Sequence, residues 1–211
     1  MSSLLEDYAE AFSTPEEDYL HRLFRATHTH LLYPRMASGH MQGLLLRMLC
    51  RMMKPKNVLE IGTFSGYSAL AMASGMEKGS RIVTYEINDE QEVFTRPWLE
   101  GNPYPATIEM RIGDVAEHLP QTDETFDMAY VDGNKRDYIR YYELVMPRLR
   151  CGGILIADNT LWNGHVTDPV YAKDAQTKAI HAFNTHVKDD NRVEQVILTD
   201  RDGLTLIYKK P

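Results

Sequence analysis

The sequence predicts an α/β fold: a doubly wound, mostly parallel sheet with a C-terminal antiparallel β-hairpin and extra N-terminal helices. Three observations lead there. Short apolar runs rich in branched residues recur at 57–62, 81–87, 107–112, 126–132 and 153–158, and their near-continuous hydrophobicity is that of strands buried on both faces. Helix-patterned stretches separate them, after Gly66, Asn88, Tyr138 and Tyr171, and such alternation implies βαβ units with helices on both sides of a parallel sheet. Two last runs, 193–198 and 204–208, are joined by Thr-Asp-Arg-Asp-Gly, a turn sequence that predicts a hairpin and an antiparallel final strand.

Ahead of the first strand, residues 1–55 read as helical. Residues 1–19 carry six acids (Glu6, Asp7, Glu10, Glu16, Glu17, Asp18) and no Lys or Arg, which reads as a solvated helix face. Thr14-Pro15-Glu16-Glu17 combines a capping box with proline at the first helical position, so a helix is expected to start there. It would turn Leu20, Leu23, Phe24 and Leu31 to one side. After a break at Tyr33-Pro34, a second helix is expected through the Leu44-Leu45-Leu46-Arg47-Met48-Leu49 region, ending before Pro55. Residues 56–211 form the sheet-bearing core, and the 211-residue chain is expected to be a single domain.

Composition excludes several function classes. Beyond residue 19 the charges nearly balance, 23 basic against 24 acidic, without a basic stripe, so nucleic acid is not an expected partner. No run approaches the ~20 apolar residues of a membrane span. The opening Met-Ser-Ser-Leu-Leu-Glu-Asp has no basic segment followed by an apolar one, so a cytoplasmic, soluble protein is expected. Cys50 and Cys151 lie in neither a Cys-x-x-Cys nor a zinc spacing and are expected to be reduced.

The first strand runs into Leu59-Glu60-Ile61-Gly62-Thr63-Phe64-Ser65-Gly66-Tyr67-Ser68. Ligands of such sheets bind beyond the carboxyl ends of the strands, near the first βα turn. Gly62 permits a tight turn and a close approach to a ligand, and Glu60 places a carboxylate where a cationic amino group could be held. The spacing is Gly-x-x-x-Gly, without the second glycine that makes room for a pyrophosphate, which argues against NAD and an oxidoreductase. Glu86 closes the second strand 24 residues after Gly62, where an acid can bind ribose hydroxyls. Two carboxylates without a phosphate cradle suit an amino-acid-bearing nucleoside. A bare strand-to-helix glycine turn remains the competing reading. Gly113-Asp114-Val115 ends the third strand, within reach of an adenine ring, and Asp114 also reads as a helix N-cap.

Two further strands end in oxygen donors: Tyr130-Val131-Asp132-Gly133-Asn134-Lys135 and Ile156-Ala157-Asp158-Asn159. Asp132, Asp158 and Asn159 offer hard oxygens without His or Cys, a set that suits Mg²⁺. Lys135, three residues after Asp132, would fall on the same side of a helical turn. A neighbouring dication favours a neutral amine, making Lys135 a candidate base for a phenolic proton. Taken singly, each of these residues could instead serve a cap, a turn or the surface.

As a set, Leu-Glu-Ile-Gly-Thr-Phe-Ser-Gly-Tyr-Ser, Val-Asp-Gly-Asn-Lys-Arg-Asp-Tyr, Asp-Asn-Thr-Leu-Trp-Asn-Gly and the closing Asp-Gly-Leu-Thr-Leu resemble the caffeoyl-CoA and catechol O-methyltransferase family, in its bacterial-type branch, from about Met36 to the C-terminus. The resemblance implies a Rossmann-like, S-adenosylmethionine- and Mg²⁺-dependent enzyme that methylates a vicinal hydroxyl of a small catechol-like aromatic or its CoA ester. It implies that Met36, Glu60, Gly62, Ser68, Glu86, Val115 and Asp132 form the cofactor site and that Asp132, Asp158 and Asn159 bind the metal. It further implies Lys135 as catalytic base, Trp162 beside the substrate ring, a small phenolic substrate and a homodimer. One departure is Gly133-Asn134, where many relatives have Ala-Asp, so the local negative charge falls. Met48, Met52 and Met53 read as core or subunit contact, and His165 as an exposed loop residue. A non-catalytic binding protein that retains the cofactor site is a further alternative, against which the intact Lys135 and ligand set argue.

Overall fold

A computed structural model describes residues 4–211. Its described residues form one sheet of β1 (Asn57–Ile61), β2 (Arg81–Glu86), β3 (Thr107–Ile112), β4 (Phe126–Val131), β5 (Leu149–Asp158), β6 (Val193–Leu198) and β7 (Leu204–Lys209), with α-helices α1 (Leu4–Ala11), α2 (Asp18–His30), α3 (His40–Met53), α4 (Tyr67–Ala73), α5 (Glu92–Glu100), α6 (Val115–His118), α7 (Tyr138–Val145) and α8 (Ala175–Lys188). Their order across the sheet is β3-β2-β1-β4-β5-β7-β6. Strands β1 to β5 pair in parallel, while β7 lies antiparallel to both β5 and β6. The last strand therefore inserts between its hairpin partner and the parallel set.

Alternate residues of the central strands feed opposite core layers, because strand side chains alternate between faces. Leu59, Ala129 and Val131 pack on one side with Tyr138 and Tyr142 of α7 (Tyr138–Val145) and with Ile180 and Phe183 of α8 (Ala175–Lys188). Val58, Met128 and Tyr130 pack on the other with Leu46, Leu49 and Cys50 of α3 (His40–Met53) and Met72 of α4 (Tyr67–Ala73). Burial on both faces is why these strands carry no polar alternation.

The N-terminal helices depart from expectation in their starts. The helix expected at Pro15 runs Asp18–His30, and its N-cap Glu17 makes no side-chain cap. The acids before it are taken by tertiary partners: Glu16 accepts the Tyr67 hydroxyl at 2.5 Å, and Glu17 pairs with Arg47 at 2.6 Å. Leu20 and Leu23 are buried, with Phe24 packed beside them. The next helix, α3, begins four residues ahead of Leu44 and stops at Met53, before Pro55. The acidic opening forms an exposed helix, Leu4–Ala11. Met48 and Met52 are exposed, so they do not belong to the core of this chain. Cys50 and Cys151 are both free thiols. Among the described residues no helix is long and apolar enough to cross a membrane.

Candidate active site

The ends of β1 and β4 nearly touch. Asp132 N–H donates to the Ile61 carbonyl at 2.8 Å, and Gly62 has φ 99°. A Cβ at Gly62 would fall 2.3 Å from the Asp132 carbonyl oxygen. A side chain is thus excluded here by the adjoining strand as well as by the backbone conformation. The loop that follows is pinned at both sides of its bend. Phe64 N–H donates to Glu86 at 2.8 Å, the other Glu86 oxygen accepts from Asn88 N–H at 2.9 Å, and the Thr95 hydroxyl donates to the Phe64 carbonyl.

This loop walls a pocket whose lining includes Met36, Ser38, Gly62, Ser65, Ser68 and Asp132. Ser65 Oγ is buried there without a hydrogen-bond partner, and such an atom gains from a polar ligand. Glu60 lies behind the pocket, fully buried. Its two oxygens meet the hydroxyls of Ser68 and Thr84, each at 2.5 Å. Burial pushes the Glu60 carboxyl up to about 8, against those two hydrogen bonds and with the help of the Asp132 and Glu86 charges.

Beside the pocket, Lys135 Nζ donates to Asp132 Oδ1 at 2.6 Å and to the Tyr138 hydroxyl at 2.8 Å. That hydroxyl donates onward to the main-chain carbonyl of Asp158 at 2.8 Å. Burial pushes the Asp132 carboxyl up to about 6; the Lys135 ammonium opposes the rise and the Asp158 charge adds to it. The carboxylate of Asp158 is itself buried and accepts from Gln42, from the Tyr130 hydroxyl and from Asn159 N–H. Among the described residues no three His, Cys, Asp or Glu side chains are arranged to hold a metal ion. The hard donors here are the carboxylates of Asp132 and Asp158, close enough for their charges to interact, and Asn159 follows Asp158 with its N–H on that carboxylate.

Asn159 takes a left-handed conformation, φ 56°, and the terminal hairpin holds the turn it starts. Thr160 N–H donates to the Gly203 carbonyl at 3.0 Å, and Leu161 N–H to the Asp202 carbonyl at 2.8 Å. Gly203 permits the approach: a Cβ there would lie 2.4 Å from the Leu161 side chain. Trp162 leaves this turn with φ 47° and packs, partly buried, against the core layer containing Tyr138.

The sequence profile of the O-methyltransferase family matches residues 10–210. The chain belongs to the O-methyltransferase family. It is 34% identical over 173 residues to catechol O-methyltransferase domain-containing protein 1 of Mus musculus, covering 80% of this chain and 66% of that protein. It is 33% identical over 178 residues to caffeoyl-CoA O-methyltransferase 5 of Nicotiana tabacum, covering 78% and 73%. The chain thus spans about two thirds to three quarters of the length of these relatives. Among solved structures, an SAH-bound methyltransferase of Podospora anserina superposes with a TM-score of 0.90 at 27% identity, over 98% of this chain and 94% of that one.

In this O-methyltransferase, Met36, Gly62, Ser68 and Asp132 meet at one pocket, with Glu60 and Glu86 bracing its wall. Val115 lies apart from that lining, buried in the core at the start of a short helix that Asp114 caps through Ala116 N–H. The Asn134 side chain caps the Lys135 turn and bonds Asp137, so its polar atoms serve the loop. His165 is not a free surface residue, since its ring stacks on Tyr171 with centroids 3.5 Å apart. Sequence reasoning missed Gln42, Ser65, Thr84, Tyr130 and Tyr138. For Tyr138 a signal existed, its place three residues beyond Lys135. Gln42 and Thr84 sit in local patterns that give none.

Proposed function

We propose that this protein transfers the methyl group of S-adenosylmethionine to one hydroxyl of a vicinal diol on a small catechol-like aromatic or its CoA ester, with Mg²⁺ or another divalent cation. The observation that carries the reading is the Asp132–Lys135–Tyr138–Asp158 cluster beside the Gly62–Ser68 pocket. Support also comes from the similarity to a catechol O-methyltransferase domain-containing protein and to a caffeoyl-CoA O-methyltransferase, and from the SAH bound by the Podospora anserina neighbour.

Both absent groups fit the residues at hand. The orphaned Ser65 hydroxyl and the carboxylate of Glu86 suit a polar nucleoside. The Asp158 charge adds to the cost of ionising Asp132, and a dication offsets that cost. Asp132, Asp158 and Asn159 would hold the cation, which supplies polarisation of the acceptor hydroxyl and orientation of both vicinal oxygens. S-adenosylmethionine, when bound, would supply the methyl group that the acceptor oxygen takes, leaving as S-adenosylhomocysteine.

The chain's own residues do the rest. An amine that acts as a base has two N–H bonds and one lone pair. Asp132 Oδ1 and the Tyr138 hydroxyl occupy the two N–H directions, leaving the lone pair to take the acceptor's proton. The pinned glycine loop keeps the methyl donor in register, so that positioning supplies much of the rate. Trp162 and the residues to about Lys173 border the acceptor.

The deciding experiment incubates the protein and S-adenosylmethionine with catechol, caffeic acid, caffeoyl-CoA and catechol flavonoids, each with Mg²⁺ or with EDTA, followed by mass spectrometry. Methylated product that disappears with EDTA is expected. Cofactor binding without turnover on every acceptor would favour a binding protein, and NAD binding without S-adenosylmethionine binding would favour an oxidoreductase.

The reading includes a cytoplasmic homodimer. Leu4, Leu5 and Tyr8 on the first helix and Phe12 just after it are exposed, an apolar surface of the kind that pairing covers. Light scattering at the mass of one chain would count against the dimer.

A further inference from the structure

We infer that Gln42 is a positioning residue that holds the Asp158 carboxylate in place for the divalent cation. The inference rests on the cation-dependent reading of the site. It brings the N-terminal helix α3 into the chemistry of the sheet edge.

Gln42 is 4% exposed and Asp158 6%. Gln42 Nε2 donates to Asp158 Oδ2 at 2.5 Å and to the Tyr130 hydroxyl at 3.0 Å. Tyr130, fully buried, donates its own hydroxyl proton to the same Oδ2 at 2.6 Å. One carboxylate oxygen is thus clamped by two donors that also bond each other. The other oxygen accepts from Asn159 N–H at 2.7 Å.

A glutamine amide can face either way, and the far side of this one decides which. Arg201, on the β6–β7 turn, donates from Nη1 to Gln42 Oε1 at 2.9 Å and to the Ser38 carbonyl. The reversed amide would set its oxygen against a carboxylate and its NH₂ against a guanidinium. Arg201 therefore fixes the amide, and the amide together with Tyr130 fixes the carboxylate.

A role in packing alone does not account for this arrangement. The core-facing side of α3 is otherwise apolar, with Leu46, Leu49 and Cys50 buried. A buried amide there costs desolvation that an aliphatic residue of similar size would avoid. Partners behind a ligating carboxylate restrict its rotation and so raise metal affinity.

The test measures Mn²⁺ binding by the electron paramagnetic resonance of free Mn²⁺, without turnover, in the wild-type protein, Gln42→Leu and Tyr130→Phe. Titration calorimetry follows S-adenosylmethionine on the same proteins. Both variants are expected to bind Mn²⁺ about tenfold to a hundredfold more weakly, with S-adenosylmethionine affinity within about twofold. A general structural role would weaken both ligands together. Should Gln42→Leu not fold, Tyr130→Phe decides, since it removes one hydroxyl and leaves α3 intact. Wild-type Mn²⁺ affinity in the variants overturns the inference and leaves the proposed reaction standing. A wild-type protein that takes up no Mn²⁺ overturns the inference together with the cation-dependent reading.

Discussion

Tyr138 holds Lys135 through its hydroxyl, which accepts from Lys135 Nζ at 2.8 Å and donates to the Asp158 carbonyl at 2.8 Å. The amine is thereby tied to the strand end that carries Asp158. Removing the hydroxyl frees one N–H direction and lets the amine turn away from the acceptor. Tyr138→Phe is expected to lower kcat about tenfold, the value of one ordinary hydrogen bond, with KM for S-adenosylmethionine unchanged. Steady-state kinetics check this, and an unaltered kcat would refute the positioning role.

Lys135 itself is expected to matter more. Lys135→Met removes the base while filling most of the volume of a buried side chain. A fall in kcat of about 10²–10⁴-fold is expected, with S-adenosylmethionine binding by calorimetry nearly intact. Turnover within a few-fold of wild type would assign proton removal to another group.

Gly62 tolerates no side chain. Gly62→Ala sets a methyl group 2.3 Å from the Asp132 carbonyl oxygen at φ 99°, so β1 and β4 must part or the loop must rebuild. A loss of stability of more than about 2 kcal/mol is expected from the strained backbone and the clash together. Urea unfolding reads it directly. A loss below about 0.5 kcal/mol would show that the strand ends can yield.

Glu60 predicts a pH dependence of stability. Its folded pKa, about 8, lies above its ordinary value of 4.5 because burial penalises the carboxylate. The folded protein therefore keeps a proton that the unfolded chain has released. The associated stability is fully present below about 4.5 and is lost as pH rises through about 8, with a slope of at most roughly 1.4 kcal/mol per pH unit. Glu60→Gln should flatten that part of the profile. Parallel wild-type and variant profiles between pH 5 and 8 would sink the assignment.

Much of this was legible in the sequence. The central strands announced themselves because both faces are buried, as at Val58 and Leu59, which enter opposite core layers, whereas the edge strand β3, expected to be buried on both faces, buries only Met110. The hairpin was marked by its Asp-Gly turn. The Gly62 turn, the Asp132–Lys135 spacing and the Asp158-Asn159 pair lie within short segments at strand ends, where topology alone brings them to one edge.

Other features were set by partners far along the chain. Thr14-Pro15-Glu16-Glu17 reads locally as a helix start, yet Tyr67 and Arg47 take its acids and the helix begins at Asp18. Gln42 lies in an unremarkable helical run, and what makes it notable is a carboxylate 116 residues away and a guanidinium 159 residues away. Hydrophobic periodicity and turn residues record burial and backbone geometry, so the sequence by itself determined the strands, the hairpin and the residues at the sheet edge. Hydrogen-bond partners across the sheet leave no periodic trace, and only the tertiary structure decided which polar groups brace Asp158, Lys135 and Glu60.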